Sequence, residues 1–151
     1  MAQSSGVLTM SMGARAGWSF WAISIFLVLF NAFGVFDFSM TQLQADFYMS
    51  AFTEEQLAYF YGFPLWMVLL WGASVGACFI GSICLLLKMK LAVPLYLAGL
   101  IGYVASSIHN MVLNPMPGAD SSGYIAGGII FVVLIFALWY ASYQAKRGVL
   151  K

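Results

Sequence analysis

Charged side chains are the rarest feature of this sequence: six Lys and Arg and five Asp and Glu in 151 residues, or 7%. A soluble domain carries about 25%, so the composition excludes one. So few cations also leave no basic patch for phosphate backbones, and no nucleic-acid partner is expected. Histidine occurs once, at His109, with no second His or Cys at ligand spacing. No metal or cofactor site is therefore expected. The sequence also lacks a Ser/His/Asp set and a Gly-rich phosphate loop, so no catalytic activity is expected. Cys78 and Cys84, the only cysteines, lie six apart on one predicted helix. They point to different sides and cannot bond to each other there. Both read as small packing residues.

What is abundant is apolar: 63% of the chain. It falls into four long runs, at about 18–36, 63–87, 91–113 and 124–143. Each is long enough to cross a hydrocarbon core about 30 Å thick. The first run is too long for a signal peptide, and Asn31-Ala32-Phe33-Gly34 is a poor cleavage site. The reading is an all-α fold: one integral membrane domain over 1–151, a four-helix transmembrane bundle with the lipid bilayer as its partner. A polar, small-residue stretch over 1–17 precedes it, with Arg15 its only charge. Lys88-Met89-Lys90 reads as a tight turn and 114–123 as a loop, so consecutive spans on either side are antiparallel neighbours. Pro94 falls in the first turn of the third span, where proline is tolerated.

Charge sign fixes the orientation. Arg15, Lys88, Lys90, Lys146, Arg147 and Lys151 all fall on one side of a four-span topology; Asp37, Asp46, Glu54, Glu55 and Asp120 fall on the other. The positive-inside rule places the basic side, with both termini, in the cytoplasm.

Four of the five acids lie in the segment 37–62 between the first two spans. Met40, Leu43, Phe47 and Ala51 recur there at helical spacing, which predicts an amphipathic helix at the interface. Thr53-Glu54-Glu55-Gln56 is a capping box, with Phe52 and Leu57 placed as a hydrophobic staple. A helix is therefore expected to start at Glu54 and to continue into the second span, kinked at Pro64. The exposed acids Asp46, Glu54 and Glu55 form a candidate docking surface; the other reading is that they only complement helix dipoles.

Asn31, Asp37, Ser106, His109 and Asn110 share one level near the acidic ends of their spans, together with Tyr59 and Gln56. Polar residues within membranes are costly and tend to face a bundle interior or a wet cavity, so these five are a candidate polar pocket. The alternative is a set of interfacial residues hydrated by headgroup water or bonded across helices. Gly72, Gly76, Gly81, Gly102 and Gly127 stand on small-residue ridges that let helices approach closely, either within the chain or against a second protein. Most aromatics lie near predicted membrane borders, but Trp71 is deeper and reads as core or lipid contact, with ring stacking on a ligand as the alternative.

The run Phe52-Thr53-Glu54-Glu55-Gln56, then Tyr59-Phe60, Phe63-Pro64-Leu65-Trp66, Gly81-Ser82 and Leu85-Leu86-Leu87-Lys88, resembles small four-span bacterial membrane proteins labelled "sugar transporter". The resemblance covers residues 52–88 and implies a four-helix protein of the inner membrane. It carries no binding residue across. Two functional classes are expected: small-solute transport, through a homo-oligomer because four spans enclose little volume, or an accessory subunit of a larger membrane complex. One test follows from the capping box. Thr53→Ala removes the cap and is expected to cost about 1 kcal/mol, read as a lower unfolding midpoint in detergent.

Overall fold

The computed structural model of the chain describes residues 14–151; of the polar stretch over 1–17, residues 1–13 lie outside the described residues. The described chain is all-helical: α1 (Trp18–Gln42), α2 (Asp46–Met49), α3 (Glu54–Tyr61), α4 (Leu65–Leu86), α5 (Ala92–Ile108) extended by a π-helical turn (His109–Leu113), and α6 (Ser121–Lys146). Four helices, of 25, 22, 22 and 26 residues, are long and apolar enough to cross a membrane, the third being α5 with its π turn. Large apolar side chains on their outer faces, among them Ile25, Leu29, Leu69, Ile125 and Val132, are exposed. Such a surface suits hydrocarbon rather than water. The chain is a multi-pass integral membrane protein.

The tightest pairing is α4 with α5, and glycine makes it so. A Cβ on Gly102 would stand 2.9 Å from Ser74 Cβ, and one on Gly81 3.3 Å from Leu95 Cβ. At Gly99 a Cβ would overlap Cys78 Sγ. Ser74 Oγ then donates to the Gly99 carbonyl at 2.7 Å. On the other flank of α4, the Phe38 ring of α1 occupies the space a Gly72 side chain would need, 2.8 Å from its Cβ position. Gly127 lets the Tyr103 hydroxyl reach its carbonyl at 2.6 Å. Within the chain Gly76 makes no ridge contact: nothing lies within 4 Å of its Cβ position, so only Gly72 of that pair meets a neighbouring helix. The expected list also omitted Gly99, the closest approach of all.

The core fills the basic half. Phe20, Leu27, Leu85, Tyr96, Ala137 and Leu150 form it, with both cysteines buried and free. On α1 the buried residues Phe20, Ser24, Leu27 and Asn31 follow helical spacing. Phe20 stacks on Tyr140, centroids 6.4 Å apart, so α1 meets α6 here. The C-terminal residues belong to this core too. Val149 and Leu150 are buried, and the Lys151 backbone donates to the Lys88 carbonyl at 2.7 Å and accepts from the Lys90 N–H at 2.9 Å.

Helix boundaries differ from the expected ones in four places. First, α1 runs past Phe36 to Gln42, so Asp37 sits inside the helix rather than in an interfacial segment. The predicted helix over 40–51 is interrupted: Ala45 N–H bonds Met40 C=O at 3.0 Å and Gln44 N–H bonds Thr41 C=O at 3.2 Å. This is a Schellman closure, with Gln44 at φ 52° where glycine is usual. Only the single turn α2 follows. Second, the capping box forms as expected, but α3 stops at Tyr61 and α4 restarts at Leu65 with Pro64 as its N-cap. Proline has no N–H to bond Phe60 and disfavours helical geometry at Phe63, so the chain breaks instead of kinking. Phe52 packs edge-on against Phe60, 5.2 Å between centroids, rather than serving only as a partner for Leu57. Third, α5 ends in a π turn, closed by Asn114 N–H to His109 C=O at 2.8 Å. Fourth, α6 begins three residues early, at Ser121, because Asp120 caps it through the Gly123 N–H at 3.2 Å.

Two substitutions separate packing from pattern. Gly99→Ala is expected to lower stability by about 1–3 kcal/mol through overpacking, while Gly76→Ala leaves it near the parent in the same detergent melt. Leu150→Ala empties a core position and is expected to cost about 2–5 kcal/mol, seen in the same assay.

Candidate functional site

The acidic half of the bundle is not filled. It contains a cavity of about 490 Å³ between all four long helices, lined by Asn31 and Asp37 of α1, Trp71 and Ser74 of α4, Ser106 of α5 and Ile130 of α6, among others. The volume lies within the range of about 300–1,000 Å³ usual for small-molecule sites. Its origin is in the packing just described. The buried residues of α6 are Leu134, Ala137, Tyr140, Ala141 and Gln144, all in its second half. Its first half, tied to α5 through the Tyr103–Gly127 hydrogen bond, stands off from α1, and Ala126, Ile129 and Ile130 line the gap together with Phe33, Gly34 and Asp37. Phe33 (64% exposed) and Ile129 (55%) form the rim on the side that faces lipid.

Four of the five expected pocket residues, Asn31, Asp37, Ser106 and Asn110, line this cavity. His109 does not. Its ring stands edge-on to Trp66, centroids 5.1 Å apart, and its Nδ1 lies 3.0 Å from Asn110 Oδ1. Ser106, His109 and Asn110 thus do not present a single polar face. Much of the cavity's hydrogen-bonding capacity is already engaged. Asn31 Nδ2 donates to Leu27 C=O at 2.8 Å, Ser106 Oγ to Gly102 C=O at 2.8 Å, and Ser74 Oγ to Gly99 C=O. The Asp37 carboxylate accepts from the Tyr48 hydroxyl of α2.

A belt of aromatic rings roofs the cavity. Starting on α1, Phe36 meets Tyr48, Tyr48 meets Phe52, and Phe52 meets Phe60, at centroid distances of 5.6, 6.3 and 5.2 Å. Phe60 meets Phe63, Phe63 meets Trp71, and Trp71 returns to Phe38 on α1, at 6.1, 6.3 and 4.9 Å. Edge-to-face pairs of this kind add about 0.5–1.5 kcal/mol each beyond buried area. The Tyr59 hydroxyl ties the same roof to the π turn, donating to Asn114 C=O at 2.7 Å with Asn110 Oδ1 at 3.2 Å. Burial raises the pKa of this tyrosine.

Sequence reasoning did not reach Tyr48 or the roofing role of Phe60 and Phe63. Trp71 packs edge-on against Phe38 and Phe63, in keeping with the core reading, and lines the cavity as well. The helical break at Gln44 was the missing step, because it folds Tyr48 back onto Asp37. The proposed docking acids Asp46, Glu54 and Glu55 are all exposed, on α2 and the first turn of α3. Among the described residues, no three of His, Cys, Asp and Glu gather in a metal-binding arrangement.

No protein-family model, curated protein or solved structure matches the chain.

The Asp37–Tyr48 contact has a titration signature. Burial first, then the hydrogen bond and charge of Asp37, push the Tyr48 hydroxyl up to about 12. Its unfolded value is about 10, so the folded state holds this proton more tightly. The stabilisation is present below pH about 10 and is lost as pH rises toward 12. The unfolding midpoint is expected to fall across that window, and to fall less in Tyr48→Phe.

Proposed function

We propose that the protein is a non-catalytic membrane protein of the transport type, whose ligand site is the cavity in its acidic half. The observation behind this reading is the convergence of Asn31, Asp37, Ser106 and Asn110 on one cavity. Polar side chains inside a membrane are expensive, and their usual justification is a substrate path or a wet site. With all six Lys and Arg toward the opposite end, the positive-inside rule sets that end and both termini in the cytoplasm. The cavity then faces outward, in a membrane that the sequence resemblance implies is a bacterial inner membrane. The packed basic half blocks it below, so passage through the membrane requires a rearrangement or a homo-oligomer.

A second reading, accessory subunit of a larger membrane complex, is favoured by the first half of α6, which touches α5 but has no fully buried residue. In that case Asp46, Glu54 and Glu55 dock the partner. Purification in mild detergent separates the two: a homo-oligomer supports transport, and a stoichiometric second protein supports the subunit.

The ligand-site reading has its own test. Gly34 lines the cavity, and a side chain there meets only Val75, at 3.9 Å. With both native cysteines replaced by Ala, Gly34→Cys is expected to react with a small water-soluble thiol reagent added from the acidic side. Ser24→Cys, fully buried in the packed half, is expected to stay unlabelled. Protection of both positions in folded protein would remove the reading.

A further inference from the structure

The cavity's charge and lining narrow what it can hold. Asp37 is the only acid among its lining residues, and no Lys, Arg or His joins it there. The walls are mostly apolar, with rings from Phe30, Phe33, Phe60, Phe63, Trp71 and Tyr103 among aliphatic side chains. Tyr48 occupies one carboxylate oxygen of Asp37 with a neutral hydroxyl, and among the described residues lining the cavity none is a cation to pair with it. An anion would meet that charge with nothing to offset it. A polyhydroxylated solute would find the Ser74 and Ser106 hydroxyls and one Asn31 N–H already donating to backbone carbonyls, in walls that are mostly apolar. A small metal ion needs several oxygen ligands at once, and one carboxylate does not supply them. A carboxylate beside aromatic faces suits a large, weakly hydrated organic cation, attracted by the charge and by the ring quadrupoles.

Resting on the ligand-site reading above, we infer that the cavity binds a lipophilic organic cation, admitted between α1 and α6 past Phe33 and Ile129 and held with its charge beside Asp37. The apolar rim admits the body of such a ligand from the lipid, and the acid at the cavity's outer end selects its sign.

Two ions of the same shape and opposite charge test this. Purified full-length protein in an uncharged maltoside detergent is titrated with tetraphenylphosphonium or with tetraphenylborate, following tryptophan fluorescence. Trp71→Phe identifies the part of the signal that comes from the cavity. The expected result is saturable quenching by the phosphonium, lost in Trp71→Phe, and none by the borate. Asp37→Asn is expected to weaken phosphonium binding by about tenfold or more, as removal of one partner from a desolvated charge pair does. Asp37→Glu is expected to retain binding, and Tyr48→Phe, which frees the carboxylate, to bind at least as tightly as the parent. Should Asp37→Asn fail to fold, the phosphonium–borate contrast in the parent and the Tyr48→Phe result still decide. Equal saturable binding of both ions overturns the charge assignment and keeps the ligand-site reading. An unchanged affinity in folded Asp37→Asn does the same. Saturable quenching by neither ion overturns the cation assignment, and the ligand-site reading then stands or falls on the labelling of Gly34→Cys.

Discussion

The contact on which the structure turns is the backbone approach of α4 and α5, at Ser74 and Cys78 against Gly99 and Gly102. In lipid there is little hydrophobic gain from bringing helices together, so close packing and hydrogen bonds between them carry the association. The missing side chains at Gly99 and Gly102 allow the first, and the Ser74 hydroxyl on the Gly99 carbonyl supplies the second. With α4 and α5 drawn together, α1 lies along α4 and α6 along α5. These outer helices meet at the basic end, where Phe20 stacks on Tyr140, and diverge toward the acidic end. The cavity follows from the helix arrangement itself.

A gap of this kind needs a roof, and the connection between α1 and α4 provides it. Rings take the place of a regular helix there. The belt from Phe36 round to Phe38 crosses α1, α2, α3 and α4, so that no single short helix has to be stable alone. Isolated helices below about 12–15 residues are marginal in water, and α3 has eight. Its capping box and its rings together compensate. Tyr48 links this roof to the chemistry below, since the same side chain packs against Phe36 and bonds Asp37.

Much of this was legible in the sequence. Four apolar runs gave the spans, because length and hydropathy are nearly sufficient in a membrane. The capping box at Thr53 gave the start of α3. The shared level of Asn31, Asp37, Ser106 and Asn110 gave most of the polar lining, since depth along antiparallel spans is a count of residues. Rotation about a helix axis is harder to read, and there the reading failed. His109 lies beside the cavity rather than in it, and Gly76 makes no contact within the chain although Gly72, one turn away, meets Phe38. Local breaks were also hidden. Gln44 adopts a left-handed conformation at φ 52°, a geometry the sequence marks only when glycine occupies it. The amphipathic pattern ran through it unbroken.

Three backbone irregularities lie toward the roofed end of the cavity: the closure at Gln44, the break at Gly62–Pro64 and the π turn over His109–Leu113. Irregular backbone at membrane depth is tolerated where it is buried in protein or lines a cavity. π turns in particular recur at functional positions. Here the π turn ends α5 with Asn110 on the cavity wall and within reach of Tyr59, while the Asn114 carbonyl accepts the Tyr59 hydroxyl. A uniform helix over 92–113 would have turned these positions differently. Left-handed closures also end α4 at Lys88 and α6 at Gly148, so what sets the acidic half apart is the break at Gly62–Pro64 and the π turn, which lie where polar side chains meet an open volume.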